Sequence, residues 1–361
     1  MKVGIFTFHD ADNYGAVLQA YALQETVKFL TNDVEIVNYK QPYIIDKYKV
    51  VRINNSSLLK LIRSIISTLI RYKDTSRKKE AFNNFRKRYL NISEEIYKEK
   101  NEIKGYDIYI SGSDQVWNPE ITNFDEVFFL KFSNEGRKIS YAASIGRDEI
   151  SEKEKDFLKN NIKNLDLISV REDSALKILN GLTENRVERV LDPTLLADTK
   201  IWDELICGKS ANEYLLVYTV GPIGNVMEIA NYIAKKMGIK IINITDKIMI
   251  KKYNVKTLRD IGPESFVGLF KNATFIITNS FHGTAFSIIF NKDFLTIPHK
   301  TGGTRMIDLL NLLKLDARII NNQMKIDDYL EQKIDYTVTN KILNEEKEKS
   351  LEFLKNAIQN I

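Results

Sequence analysis

A histidine stands close to the point where a buried strand is expected to give way to a helix. Residues 275–278 are a short run of aromatic and branched residues, which is typical of a strand covered on both faces. An apolar stripe at helical spacing follows and includes Phe286 and Phe290. Residues 279–283 are therefore predicted to form the connection, and His282 lies within it.

Such a connection is suited to proton chemistry beside an anion. Ligands of open parallel sheets bind beyond the carboxyl ends of the strands, where a helix N-terminus offers free N–H groups. An imidazole there transfers protons near neutral pH, so His282 is predicted to be catalytic. Its neighbours Ser280 and Gly283 are predicted to contact the substrate. The alternative is a histidine that only caps or packs the loop.

A second loop with binding chemistry lies near the start of the chain. Residues 3–8 predict a strand, and a helical apolar set begins at Val17. Between them, Gly15 would let the backbone approach a ligand, and Asn13 would cap the helix or hydrogen-bond an oxygen-rich substrate. No glycine-rich dinucleotide pattern or Walker pattern follows, so neither dinucleotide nor ATP binding is indicated.

A third cluster follows a predicted strand at residues 108–110. Ser113 and Asp114 come directly after it, and Trp117 is the next aromatic residue. Sugars are commonly held by a carboxylate, an amide and a ring together. Asp114 is therefore predicted to orient or deprotonate an acceptor hydroxyl, with Ser113 and Trp117 as binding residues. An Asx-type turn without a binding role is the alternative.

Five segments, taken in their order and spacing, resemble the polysaccharide pyruvyl transferase family. They are residues 13–16, 112–117, 168–174, 190–194 and 280–283. The resemblance extends from about residue 1 to about residue 315, and the combination is specific although no single segment is. It implies a two-domain, glycosyltransferase-B-like enzyme that moves the enolpyruvyl unit of phosphoenolpyruvate onto sugar hydroxyls, in many cases as a cyclic pyruvate ketal. Phosphoenolpyruvate would be the donor substrate, and no cofactor is implied.

The resemblance also assigns individual residues. His282 matches the family's histidine, and Arg171 matches the arginine after the middle strand. Arg171 is our first choice to bind an anionic group of the donor, with a surface ion pair to Glu172 or Asp173 as the alternative. Ser280 departs from the family, because many members carry an arginine at that position. Arg305 is a candidate replacement, or else an ordinary arginine at a helix start.

The implied acceptor is a sugar of a cell-surface polysaccharide or its lipid-linked precursor. Two other functions share this two-domain plan. A nucleotide-sugar-dependent glycosyltransferase would use the same fold and a cleft histidine. A non-catalytic glycan-binding relative would tolerate Ser280 in place of the arginine. The sequence is compatible with His282 as an acid, a base or a phosphate ligand. It does not specify the acceptor sugar, its linkage or the oligomeric state.

The order of predicted elements divides the chain in two. Strands and helices alternate through residues 1–200, which predicts an N-terminal α/β domain, and a second series over residues 213–335 predicts a C-terminal one carrying the Ser280–Gly283 loop. Two Rossmann-like domains would face a cleft that binds the substrates. A charged helix at 341–361 is predicted to return to the N-terminal domain.

Composition indicates a globular protein outside the secretory route. Of its residues 43% are hydrophobic and 28% are charged. A single cysteine, Cys207, cannot form an intramolecular disulfide, and no leader-like or 18-residue uncharged apolar run occurs, so a cytoplasmic location is predicted. Three dispersed histidines, with His9 and His299 unassigned, give no metal-ligand spacing, so no metal is predicted.

Residues 47–90 form a basic arm. They contain 13 Lys and Arg against Asp74 and Glu80, a balance of +11, although the whole chain carries only +5. Helices are predicted at 58–72 and 76–90, the first with an apolar face opposite a basic one. Such a helix either packs on its own domain or lies on the inner membrane face. Nucleic acid is not indicated, since no binding motif accompanies the charge.

Overall fold

The computed structural model describes residues 1–51, 57–98, 103–132, 135–206, 208, 212–221, 224–247, 253–298, 303–320 and 326–359, without the side chains of 58–64. Cys207 and His299 lie outside the described residues. The remaining chain forms two parallel sheets, each flanked by helices, so the predicted pair of Rossmann-like domains is confirmed.

The first sheet has the strand order β3-β2-β1-β4-β5, and all of its neighbouring strands are parallel. A short parallel pair, β6 and β7, continues it through bridges from Ile139 to Leu167 and from Ala143 to Val170. Its strands are β1 (Lys2–Phe6), β2 (Asp33–Tyr39), β3 (Ile92–Tyr97), β4 (Ile108–Ser111), β5 (Arg137–Ser140), β6 (Ile168–Val170) and β7 (Val187–Arg189).

Helices connect these strands. They are α1 (Tyr14–Lys28), α2 (Pro42–Lys47), α3 (Leu58–Tyr89), α4 (Pro119–Thr122), α5 (Glu152–Ile162), α6 (Asp173–Asn180), α7 (Pro193–Leu196) and α8 (Lys200–Glu204), with a 3-10 turn at Glu126–Phe129. The two helices predicted for the basic arm are a single helix, α3, because residues 73–75 contain neither glycine nor proline to end the first.

The second sheet repeats the plan with the order β10-β9-β8-β11-β12. Its strands are β8 (Tyr214–Tyr218), β9 (Lys240–Ile244), β10 (Val255–Leu258), β11 (Phe275–Thr278) and β12 (Asp293–Thr296). Its helices are α9 (Val226–Met237), α10 (Pro263–Asn272), α11 (Phe281–Ile289), α12 (Thr304–Leu312) and α13 (Ile326–Glu331), with a 3-10 turn at Asp316–Arg318. The central strands β8 and β11 are buried along their whole length.

The last helix, α14 (Tyr336–Gln359), lies against the first domain. Arg189 of β7 donates to Glu346 at 2.7 Å, and the Leu191 N–H donates to the Ser350 hydroxyl at 2.9 Å. Phe353 of the same helix packs near the ring of Tyr141. The chain therefore crosses between the domains twice, and α14 contributes apolar side chains to the core they share.

Candidate active site

A cleft that is open to solvent lies between the two domains. The first domain contributes the α1 entry with Asn13, the loop after β4 with Asp114, and the end of α2. The second contributes the start of α11 and Arg305 of α12. The carboxyl ends of β1 and β4 and of β8 and β11 thus meet across one space, which is where open α/β sheets bind ligands.

His282 lies in the first turn of α11 rather than in a loop. The Ser280 hydroxyl caps the helix by accepting from the Gly283 N–H at 3.4 Å. The helix therefore begins three residues earlier than predicted, at Phe281 instead of residue 284. The His282 side chain is only 9% exposed, and it belongs to a helix where the sequence predicted a connection. The N–H groups of Phe281 and His282 have no acceptor within the described residues, so they remain available to an anion.

Gly15 is the residue against which His282 packs. A Cβ at position 15 would stand 2.0 Å from His282 Nδ1, a distance that real atoms do not adopt. The predicted role of Gly15 was close approach of the backbone to a ligand. The close approach exists, but its partner is the imidazole from the other domain. Asn13 caps α1 through its side-chain oxygen, which accepts from the Ala16 N–H at 3.2 Å, and it also lines the cleft.

Asp192 faces the other nitrogen of His282. Its Oδ2 lies 3.7 Å from His282 Nε2, an ion-pair distance rather than a hydrogen bond, and Nε2 is buried without a hydrogen-bond partner. Burial alone raises the pKa of the Asp192 carboxyl, yet His282 and Arg171 outweigh burial and hold that pKa well below its usual range. Asp192 is therefore a buried, ionised carboxylate beside the imidazole. Asp192 also caps α7, because its Oδ1 accepts from the Thr194 N–H at 3.0 Å.

Arg171 forms a buried ion pair with the Asp192 carboxylate. Its Nη1 donates to Asp192 Oδ2 at 2.7 Å, its Nη2 donates to Asp114 Oδ1 at 3.2 Å, and Nε lies 3.5 Å from Glu172 Oε2. The guanidinium also lies over the Phe281 ring, 4.5 Å from its centroid. Its side chain is fully buried and does not line the cleft. The guanidinium of Arg171 thus binds carboxylates of the protein itself. This corrects both interpretations of Arg171, as a ligand of the donor substrate and as a member of a surface ion pair.

Asp114 lies between this network and the cleft. Its φ of 75° is in the left-handed region, which a non-glycine residue seldom occupies. The ion pair with Arg171 and the acceptance of two backbone N–H groups by its carbonyl fix this conformation. The carboxylate is 14% exposed and lines the cleft, so a sugar hydroxyl in the cleft can reach it, as the predicted role of Asp114 requires.

Arg305 is a cation at the cleft whose Nε has no hydrogen-bond partner within the described residues. It lies in the first turn of α12 and lines the cleft, 5.9 Å from the centroid of the Phe281 ring. It makes no ion pair or hydrogen bond within the described part of the chain, and its Nε is buried without a partner. Burial and the nearby charge of Arg171 lower the pKa of Arg305 to about 10. A half-buried cation at a cleft, without an ion pair in the described residues, is stabilised by an anionic ligand.

Two predicted binding residues lie outside the cleft. Trp117 has no exposed surface, stacks on Phe129 with centroids 5.1 Å apart, and donates its indole N–H to the Phe128 carbonyl at 3.0 Å. Ser113 is equally buried and donates to Asp192 Oδ2 at 3.0 Å. Both predictions of direct substrate contact are wrong, because the chain turns inward after β4 and uses these side chains for the core and the carboxylate network.

Gly283 and His9 are also structural. A Cβ at position 283 would stand 2.2 Å from the Thr278 hydroxyl oxygen, so Gly283 permits α11 to pack on the end of β11. His9 is buried, lies within hydrogen-bond distance of Thr7 and Asn38, and does not line the cleft. Ser280 lines the cleft beside His282. No group of three or more acidic, histidine or cysteine side chains in the described ranges is arranged to hold a metal.

The fold places the chain in a structural class. MnaA from S. aureus, solved with UDP, superposes with a TM-score of 0.55 and 12% identity over 100% of this chain and 98% of that one. A UDP-N-acetylglucosamine 2-epimerase superposes with a TM-score of 0.51 and 11% identity over 99% of this chain and 96% of the other. At these identities the likeness shows the glycosyltransferase-B-like fold alone.

The family is shown by the sequence. Residues 13–301 match the family described as polysaccharide pyruvyl transferase, which covers Asn13, Asp192 and His282. The chain belongs to the polysaccharide pyruvyl transferase family, and the resemblance seen in the sequence is confirmed. No curated protein matches the chain significantly in sequence. Within the described residues, no helix is long and apolar enough to cross a membrane.

Proposed function

We propose that this protein transfers the enolpyruvyl unit of phosphoenolpyruvate to hydroxyls of a sugar, in a cell-surface polysaccharide or its lipid-linked precursor, and closes a pyruvate ketal. One observation carries the proposal. Arg305, which has no partner within the described residues, and the free N–H groups at the start of α11 line the same cleft as His282. Family membership supplies the reaction class.

Phosphoenolpyruvate carries a phosphate and a carboxylate, so its site needs cations or helix N-termini. We assign one anionic group to the Arg305 guanidinium and the other to the N–H groups of Phe281 and His282. Arg305 thereby supplies the charge that Ser280 does not. Because Ser280 already caps α11, it contributes helix geometry rather than charge.

The proposed reaction has these steps. A proton adds to C3 of the donor, C2 gains oxocarbenium character, and a sugar hydroxyl oxygen bonds to C2 and loses its proton. The C2–O bond to phosphate then breaks with its electron pair, phosphate leaves, and a second sugar hydroxyl closes the ketal and loses its proton. Two hydroxyl protons are lost, and they balance the one gained at C3 and the one carried by phosphate.

Two side chains carry the proton movements in this scheme. We assign the proton that adds to C3 to the imidazole of His282, whose Nε2 faces the ionised Asp192 and whose Nδ1 packs against Gly15. The Asp192 carboxylate stabilises the imidazolium and holds the ring, so it is a positioning residue. Asp114, partly exposed on the opposite wall, accepts the proton of the attacking hydroxyl.

Ligand-induced thermal stabilisation tests the choice of donor. Phosphoenolpyruvate should raise the Tm of the wild type in a concentration-dependent way, because a ligand that binds only the folded state stabilises it. UDP and a UDP-sugar are the comparison, since MnaA from S. aureus was solved with UDP. Stabilisation by UDP and none by phosphoenolpyruvate would favour a nucleotide-sugar-dependent glycosyltransferase instead.

A further inference from the structure

The first half of α3 exposes a run of large apolar side chains. Leu69 is 72% exposed and Ile70 is 61% exposed, and Ile65, Ile66 and Tyr72 are exposed as well. Residues three, four and seven positions apart share one side of a helix. Ile65, Leu69 and Tyr72 therefore form one line, with Ile66 and Ile70 directly beside it. Contiguous exposed apolar area of this kind marks an interaction site.

The opposite side of α3 is occupied. Asp74 accepts from Arg259 at 3.0 Å, and Lys78 donates to Asp246 at 2.8 Å, so both contact the second domain. Further along, Phe82 and Phe85 are fully buried. The apolar residues of the predicted amphipathic face that the structure describes are thus the outward ones. For the side chains that the structure describes, this finding contradicts the interpretation that the apolar face packs on the protein. Ile65, Ile66, Leu69, Ile70 and Tyr72 are exposed with respect to the described part of the chain.

Charge identifies the kind of surface that fits. Lys73 is exposed and lies one turn after Leu69 within the apolar stripe, and Lys87 is exposed nearer the end of the same helix. The arm as a whole has a balance of +11, with 13 basic residues against 2 acidic ones in residues 47–90. Aliphatic and aromatic side chains among lysines are typical of helices that lie in the interface of an anionic bilayer.

We infer that the outward face of α3, defined by Ile65, Ile66, Leu69, Ile70 and Tyr72, docks on an anionic lipid surface. The apolar side chains enter the boundary between headgroups and acyl chains, and Lys73 contacts the headgroups. A second copy of this chain would leave the lysines and the remaining positive charge facing one another across the interface, which disfavours it.

The position of the arm suits the proposed acceptor, and this point rests on the proposed function. Tyr48, just after α2, lines both the active-site cleft and a smaller pocket formed with Arg71 and Asp74 of α3. A docked α3 therefore holds the mouth of the cleft near the bilayer. A sugar attached to a lipid carrier would reach the cleft without leaving the membrane.

Co-sedimentation with vesicles tests the docking directly. The wild type should sediment with vesicles of phosphatidylglycerol and phosphatidylcholine at low salt, and it should remain in solution with pure phosphatidylcholine or at high salt. Each basic residue at an anionic surface contributes about fivefold in partitioning, so Lys73→Gln should weaken binding about fivefold. The double variant Leu69→Glu with Ile70→Glu should lose binding by at least about tenfold.

A matched control separates this face from a general loss of apolar surface. Phe29, just after α1, is 77% exposed and Val338 of α14 is 54% exposed, so Phe29→Glu with Val338→Glu adds the same charge elsewhere. The inference requires this control to bind anionic vesicles within about threefold of the wild type. Equal loss in both double variants, or no wild-type binding at low salt, overturns it. A dimer that only the Leu69 and Ile70 variant disrupts, without vesicle binding, would identify the face as a self-interface instead.

The outcome is independent of the catalytic proposal. None of the substituted residues lines the cleft, so phosphate release with a soluble sugar acceptor should be unchanged in every variant. Lost vesicle binding with intact turnover would support the docking surface. Lost turnover together with a lowered Tm in the Leu69 and Ile70 variant, but not in the control, would show that this face is structural and overturn the inference.

Discussion

Gly15 and His282 come from different domains, and the space between them is too small for one methyl group. A Cβ on Gly15 would stand 2.0 Å from Nδ1 and 2.7 Å from Cε1 of the imidazole. The start of α1 therefore forms one wall of the histidine site, and Asp192 forms another. The position of the candidate catalytic ring depends on how the domains are packed.

Gly15→Ala is expected to displace His282 and to reduce transfer by roughly a hundredfold, because the added methyl group occupies the space of the ring. Steady-state phosphate release measures this effect. Gly181→Ala is the control, since a Cβ there meets only the Ile178 carbonyl oxygen at 3.5 Å. Equal activity in both variants would show that the ring does not need its observed position.

Arg171→Lys is expected to lower the stability of the protein rather than its affinity for the donor. An ammonium cannot reproduce the contacts of the fork to Asp192 and Asp114, and disrupting a buried pair costs about 3 kcal/mol. Chemical denaturation gives the unfolding free energy, and calorimetry gives the Kd of phosphoenolpyruvate for the folded protein. Unchanged stability together with a tenfold weaker affinity for phosphoenolpyruvate would contradict this expectation and show that Arg171 binds the donor substrate.

Arg305→Met is expected to raise the Tm of the ligand-free protein and to weaken phosphoenolpyruvate binding by more than about tenfold. Burial and the nearby charge of Arg171 lower the pKa of Arg305 to about 10, so the charge destabilises the ligand-free protein, and a bound anion would offset this cost. Arg147→Met is the control, because its ion pairs with Glu120 and Glu154 lie elsewhere. A lower Tm with unchanged donor affinity would contradict the assignment.

His9 should make stability depend on pH. Burial lowers the pKa of His9 to about 4, whereas an unfolded histidine titrates near 6.5. The unfolded state therefore binds more protons between these values. The stabilisation is complete above about pH 6.5 and falls by about 3 kcal/mol as the pH drops toward 4. Denaturation at several pH values should show a flatter profile for His9→Gln. If the stability of the wild type and of His9→Gln changed equally with pH, a group other than His9 would cause the pH dependence.

The elements that the sequence predicted best are the buried ones. The β11–α11 junction is recognisable because strand and helix have distinct apolar spacings on either side of Ser280. The edge strands β3 and β10 were not predicted. Each has one neighbour in the sheet, and both contain exposed polar residues that obscure the pattern.

The site was predicted less completely because its contacts join distant segments. His282, Asp114, Asn13 and Arg305 do line one cleft. The role of Asp192 depends on Arg171 and His282, which lie far from it in sequence, and local spacing carries no sign of either contact. Trp117 is a residue type that often stacks on sugars, but the turn after β4 directs its side chain into the core. In the sequence, the segment from Asp192 to Thr194 has the pattern of a helix cap, which is one role of Asp192. That local role hides its second role, the contact with His282.

Turnover of His282→Ala with phosphoenolpyruvate and a working sugar acceptor tests the central claim most directly. We predict that phosphate release and ketal formation fall by roughly a hundred- to ten-thousand-fold, the usual contribution of positioned proton transfer. The Tm should stay within a few degrees of the wild type. Turnover near that of the wild type in the folded variant would contradict the account, because no other imidazole in the described part of the chain lines the cleft.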